Sequence, residues 1–243
     1  MKYLASFIFL ALFKPLLFAD SIDIVVENYP PYAYKENGNI TGLSTDITRY
    51  LLEDSGIKAK SWAFAPWKRA FLLASQKPGT LLYTVVRKPN REKLFHWIGP
   101  ISDRNIYIYK LKRRKDIKAS SLEEIKTKGY SIGTVIGTAA TEQLKNANLK
   151  ITETVNYEQN VRMLLLGRTD LIVFLEYSLA YLAKKADSQY SDFEKLFLLD
   201  GSKKYYIVIQ KDTDSDIVKR LQQSFIKTKH SGKLAEIQKR YLK

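Results

Sequence analysis

An α/β fold is what this 243-residue chain predicts. Short β-rich runs alternate with segments whose apolar residues recur at helical spacing, and the alternation starts afresh near the middle of the chain. The length suits one domain or two intimately linked lobes, with core enough that no covalent staple is needed.

The first strand is Ile22 to Val26. It must end at Pro30-Pro31, because neither proline can donate a ladder hydrogen bond and Pro31 holds Pro30 extended. Asn37-Gly38 supplies the positive φ angles of a tight hairpin turn. Beyond Gly42, the residues Ser44, Thr45 and Asp46 are candidate caps for a helix near Thr45 to Asp54, closed by Gly56. A strand near Lys58 to Phe64 follows, and Pro66 can start a helix with Trp67, Ala70, Phe71 and Ala74 on one face. Leu81 to Val86 reads as a buried strand and Ile106 to Leu111 as another extended run. The second unit opens on the capping box Ser121-Leu122-Glu123-Glu124, then a strand from Tyr130 to Val135 and a glycine loop into a helix at Thr138. Val161, Leu164 and Leu165 form a helix stripe ending at Gly167. Leu171 to Leu175 is a buried strand before a helix from Tyr177 to Lys185, and Tyr205 to Ile209 is the last strand. Ile217, Leu221 and Phe225, then Leu234 and Ile237, mark two amphipathic helices parted near Gly232. No internal repeat or low-complexity linker interrupts the series.

Residues 1–19 carry Lys2, an apolar stretch from Tyr3 to Phe13, Lys14-Pro15 and a second apolar patch ending at Ala19, the pattern of a cleaved signal peptide. The apolar core falls short of the roughly 20 residues a membrane span needs. The expectation is a mature protein soluble in the periplasm. With no cysteine and two histidines, disulfides, thiolate metal sites and cysteine nucleophiles are excluded, and neither metal nor cofactor is expected. The formal charge is +15, or +13 without Lys2 and Lys14, which suits an anionic ligand, an anionic membrane surface or simply a lysine-rich composition. Export argues against nucleic acid, and a monomer is expected.

With these residues in view, the chain resembles the extracellular solute-binding proteins of family 3, over nearly the whole mature sequence. The resemblance rests on Tyr29-Pro-Pro-Tyr32, Asn37-Gly-x-Ile-x-Gly-Leu-x-x-Asp46, Arg91 followed by Trp97 and Pro100, Val135-Ile-Gly-Thr138 and Gly167-Arg-x-Asp170, in the family's order. It implies a two-lobed periplasmic-binding-protein-like fold of type II, with two Rossmann-like lobes joined by two hinge strands around Tyr107–Leu111 and Lys204–Ile207. Residues 20–108 plus 205–243 would form lobe 1 and 109–204 lobe 2, closing on ligand by hinge motion, for which periplasmic binding proteins are a standing example.

The same resemblance implies a ligand site. Arg91 takes the position of the arginine that grips the ligand carboxylate, with Arg87 as competitor, and Thr84 matches a hydroxyl that also touches ligand. The Gly137-Thr138 loop would offer amides and a hydroxyl at a helix N-terminus. Tyr29, Tyr32 and Trp67 would be flat walls. Each has a plain alternative as core aromatic, surface charge or cap. Where amino-acid binders place an aspartate for the ligand ammonium, this chain has Leu175, with Glu176 next to it as the candidate partner. Lys88 and Gly79 also depart from the pattern, which opens the way to an anionic ligand without an amino group. The implied function is capture of a small polar or anionic, amino-acid-like solute with a carboxylate, for the membrane permease of an ABC importer or a membrane sensor, without catalysis. The alternative enzyme is a cyclohexadienyl-dehydratase-like activity with Glu176 as its acid-base group.

Overall fold

The computed structural model describes residues 21–242; the proposed signal peptide lies outside them. In chain order the elements are β1 (Ser21–Val26), β2 (Tyr34–Glu36), β3 (Asn39–Thr41), α1 (Leu43–Ser55), β4 (Lys58–Phe64), α2 (Trp67–Gln76), β5 (Thr80–Val86), β6 (Phe95–Asp103) and β7 (Ile106–Leu111). They continue as α3 (Leu122–Thr127), β8 (Ile132–Val135), α4 (Ala139–Asn146), β9 (Ile151–Thr154), α5 (Tyr157–Leu165), β10 (Leu171–Leu175), α6 (Glu176–Lys185), β11 (Phe193–Asp200), β12 (Lys204–Gln210), α7 (Ser215–His230) and α8 (Lys233–Arg240).

Two five-stranded sheets organise these elements, in the orders β4-β1-β5-β12-β6 and β11-β7-β10-β8-β9. In the first, β1 runs parallel to β4 and β5, while β12 is antiparallel to β5 and β6. In the second, β8 is parallel to β9 and β10, and β7 is antiparallel to β10 and β11. Strand alternation gives each sheet two apolar faces. Ile22, Ile24 and Val26 point toward α1, α7 and α8, where Leu51, Leu221 and Ile237 meet them, whereas Val25 turns to the opposite face with Ala70 and Ala74 of α2. In the second sheet, Ile108, Leu171 and Val173 pack with Ile125 and Leu144, and Tyr109, Ile172 and Phe174 pack with Val161 and Leu179.

The chain passes between the sheets twice, through residues 104–105 and 201–203. The Arg104 N–H donates to the Lys203 carbonyl at 3.0 Å, tying the two passages together. The strands expected to cross, at Tyr107–Leu111 and Lys204–Ile207, instead lie inside one sheet each, because their amides are taken up by ladder bonds.

The expected caps of α1 also differ. Ser44, Thr45 and Asp46 lie within the helix, whose N-cap is Gly42. The Leu43 N–H donates to the Pro31 carbonyl, and the Ser44 and Thr45 N–H groups donate to the Tyr32 carbonyl, at 2.9, 3.0 and 3.3 Å. Backbone carbonyls of the proline loop thus do the work of a capping side chain and fix that loop on the helix. Among the described residues, no helix is long and apolar enough to cross a membrane.

Candidate functional site

A cavity of about 370 Å³ opens where the chain passes between the sheets. Tyr29, Pro30 and Arg104 border it on the side of the first sheet, while the second-sheet half contributes Thr138 to Ala140, Tyr157, the end of β10 and the inner face of α6. The β8-to-α4 connection brings Thr138 there as N-cap of α4: its hydroxyl accepts from the Thr141 N–H at 3.2 Å and bonds the Thr141 hydroxyl at 2.8 Å. With that donor satisfied, the first amides of α4 keep no intrahelical partner and give this wall a positive character. Tyr29 is held by the Tyr205 hydroxyl at 3.3 Å and by stacking on Tyr32 with ring centroids 5.2 Å apart; burial pushes its phenol pKa far up, so it stays neutral.

The sequence-derived residues divide into four places. Tyr29 and Thr138 lie on the cavity. Tyr32 is buried and borders a separate recess of about 70 Å³ together with Glu176. The Glu176 carboxylate accepts from Lys195 Nζ at 2.5 Å and from the Tyr190 hydroxyl at 3.0 Å, and Lys195 lies over the Tyr107 ring, so this glutamate is held within its own half of the molecule. Thr84 stands at φ +63° within β5 and donates its hydroxyl to Ser44 Oγ at 2.9 Å.

Arg87, Arg91 and Trp67 belong to an aromatic ladder beside α2 and do not border the cavity. Trp67, Phe71, Phe95, Trp97 and Tyr206 follow one another with centroid separations of 5.7, 5.5, 6.0 and 5.6 Å. Arg91 covers one end, 5.4 Å above Trp67 and 5.0 Å above Phe71, and donates to the Val86 carbonyl. Burial lowers its guanidinium pKa without any carboxylate contributing. Arg87 covers the other end over Trp97 and Tyr206, and forms a two-pronged pair with Glu92, both bonds 2.8 Å, that raises its pKa.

Sequence reasoning did not single out Arg104, Lys185, Tyr157 or Tyr181, all on the cavity. The usable signals were faint: Arg104 directly precedes the extended run at Ile106, and Lys185 closes the helix expected from Tyr177. A further group is Glu27, half-buried just past β1, whose carboxyl pKa is raised by burial. Among the described residues, no cluster of His, Cys, Asp and Glu forms a metal site.

The family model for bacterial extracellular solute-binding proteins, family 3, matches residues 22–243. Similar solved structures include substrate-binding domain 2 of Lactococcus lactis GlnP in an open conformation, 18% identical, with 92% of this chain and 95% of that one covered and a TM-score of 0.77. The unliganded, open L-cystine solute receptor of Neisseria gonorrhoeae is 17% identical, with 93% and 94% covered and a TM-score of 0.75. A histidine kinase sensor domain similar to periplasmic binding proteins is 16% identical, with 91% and 96% covered and a TM-score of 0.62. No curated protein sequence matches.

Proposed function

As the chain belongs to the bacterial extracellular solute-binding proteins, family 3, it is a ligand-binding protein of that extracellular class, and we propose that it captures a small organic solute between its two sheets for the membrane permease of an ABC importer. The observation that carries the reading is the cavity at the 104–105 passage, bordered from both sides, so that one solute would touch both halves. On this reading the lobe boundaries move from 108 and 205 to the passages themselves: residues 21–103 plus 204–242, built on the first sheet, swing against 106–200, built on the second, about positions 104–105 and 201–203. Tyr29 stacks on the solute and the Thr138 loop donates to it. Arg91 brings a guanidinium with spare donors from the opposite half as the cleft narrows. Tyr157, a wall of the cavity 46% exposed, and Ile136, 56% exposed next to the lining residue Val135, support such closure, because it would remove apolar surface from water.

The leader pattern in the sequence and the extracellular class of the family support a location in the periplasm. The engagement of Glu176 by Lys195 and Tyr190 weighs against a dehydratase, which needs that carboxyl at the substrate. Delivery to a membrane sensor is the second reading, favoured by the likeness to a kinase sensor domain.

The test is a thermal-shift screen of amino acids, dicarboxylates and small organic anions. A solute at 100 times its dissociation constant adds about 2.7 kcal/mol to stability. Tyr29→Ala and Thr138→Ala are expected to shrink the shift. A folded protein stabilised by nothing in the screen would sink the proposal.

A further inference from the structure

We propose that the solute is an organic anion with an apolar body and no ammonium group, read by Arg104 and Lys185. The inference rests on the solute-binding reading above and narrows it to a chemical class.

The cavity carries two cations on otherwise mostly apolar walls, with Val135, Phe174, Leu175 and Leu182 among the latter. Among the described residues no aspartate or glutamate borders it. Arg104 has one carboxylate near, Asp200 at 3.8 Å, beyond hydrogen-bond reach. The Asp200 oxygen that faces Arg104, Oδ2, is shared with Lys203, also at 3.8 Å, while Oδ1 accepts from the Ser202 amide and hydroxyl at 2.9 and 2.7 Å. Arg104 also bonds the Tyr205 hydroxyl. Lys185 has no carboxylate within ion-pair distance among the described residues, and its ammonium lies 4.9 Å over the Tyr181 ring, itself a wall of the cavity. One cation with a single long carboxylate contact and one with none among the described residues, both beside apolar surface, favour a ligand with the opposite charge at one end and a water-averse body. An α-ammonium placed here would lose its hydration, meet no acid on these walls and face two like charges. Glu176, the acid next to Leu175, is already bonded to Lys195 and Tyr190. Glu27, half-buried on the first-sheet side two residues before Tyr29, is a carboxyl that could answer an ammonium after closure, and the experiment addresses it.

The test is calorimetric titration of the purified protein with pairs that differ only in the amino group, 3-phenylpropionate against phenylalanine and 4-methylpentanoate against leucine. The amine-free acid of at least one pair is expected to bind about tenfold tighter or better than its partner. Lys185→Gln and Arg104→Gln are each expected to weaken it several-fold with the melting temperature held. Leu175→Asp, which adds an acid to the wall, is expected to narrow or reverse the preference. Lys185 is exposed, so its variant remains informative even where Arg104→Gln disturbs folding. An amino acid binding as tightly as its amine-free partner overturns the inference while leaving the solute-binding reading intact, as does unchanged affinity in Lys185→Gln together with Arg104→Gln. Amine-dependent binding that Glu27→Gln abolishes overturns it in favour of Glu27. If neither pair binds while another screened solute does, the inference alone falls; if the whole screen is silent, both fall.

Discussion

Gly42 stands at φ +125°, and a Cβ added there would lie 2.5 Å from the Tyr32 carbonyl oxygen and 2.7 Å from that of Pro31. Those carbonyls receive the first amides of α1, so the clash would fall on the contact that positions Tyr29. Gly42→Ala is expected to cost about 2–4 kcal/mol, read as a lower denaturant midpoint at unchanged slope. At the candidate site the single-residue expectations point in different directions. Arg91→Ala should abolish ligand-induced stabilisation if that guanidinium reaches the solute, and an unchanged shift would remove Arg91 from the site. Glu176→Gln should leave the shift as it was, because the carboxylate is spent on Lys195 and Tyr190; a lost shift would restore Glu176 to the ligand. The Tyr-Pro-Pro-Tyr run could be read as a strand end because proline's missing donor is local chemistry. Arg104 and Lys185 could not be read as site residues, being two of forty cations whose placement depends on where two distant segments meet.

Among the elements, the Gly167 to Asp170 stretch shows how a short motif stitches a sheet. Gly167 takes φ +69° just after α5 and releases the chain into β10. Asp170 then accepts from the Ser131 amide and hydroxyl at 2.9 and 2.8 Å and pairs with Arg114, joining the approaches to β8 and β10 to the end of β7. Burial alone would raise this carboxyl, but those donors outweigh it and hold its pKa below the usual 3.8. A lowered folded-state pKa means the stabilisation is full above that ordinary value and is lost as pH falls through the folded one. Asp170→Asn should therefore destabilise by about 1–3 kcal/mol at neutral pH and flatten the acid limb below pH ~4, measured by urea melts across pH. Elements with strong periodicity or terminal punctuation were legible: β1, β5, β10, α2, α7 and α8 follow their apolar spacing. β6, β9 and β11 were not. Gly99-Pro100 inside β6 reads as a loop, Ile-Thr-Glu-Thr in β9 is half polar, and the alternation of β11 is broken where its register against β7 shifts.

At the level of the whole molecule, two sheets are joined by a pair of passages, themselves bonded through Arg104 and Lys203, and the proposed closure would turn about them. Saturating solute is expected to lower the radius of gyration in small-angle scattering, whereas a rigid pocket would leave it unchanged. The two-lobe arrangement was foreshadowed by the α/β rhythm starting twice, but the faces meeting at the cavity were not, because no local pattern encodes the angle between two halves. The aromatic ladder has a consequence of an optical kind. All three tryptophans, Trp62, Trp67 and Trp97, sit on β4, α2 and β6, and none lies in the half built on the second sheet. Tryptophan emission is thus a one-sided reporter with a cation resting on Trp67. A solute that draws Arg91 off that ring should change the emission without any label, while one held by the second-sheet half alone should leave it dark to the event.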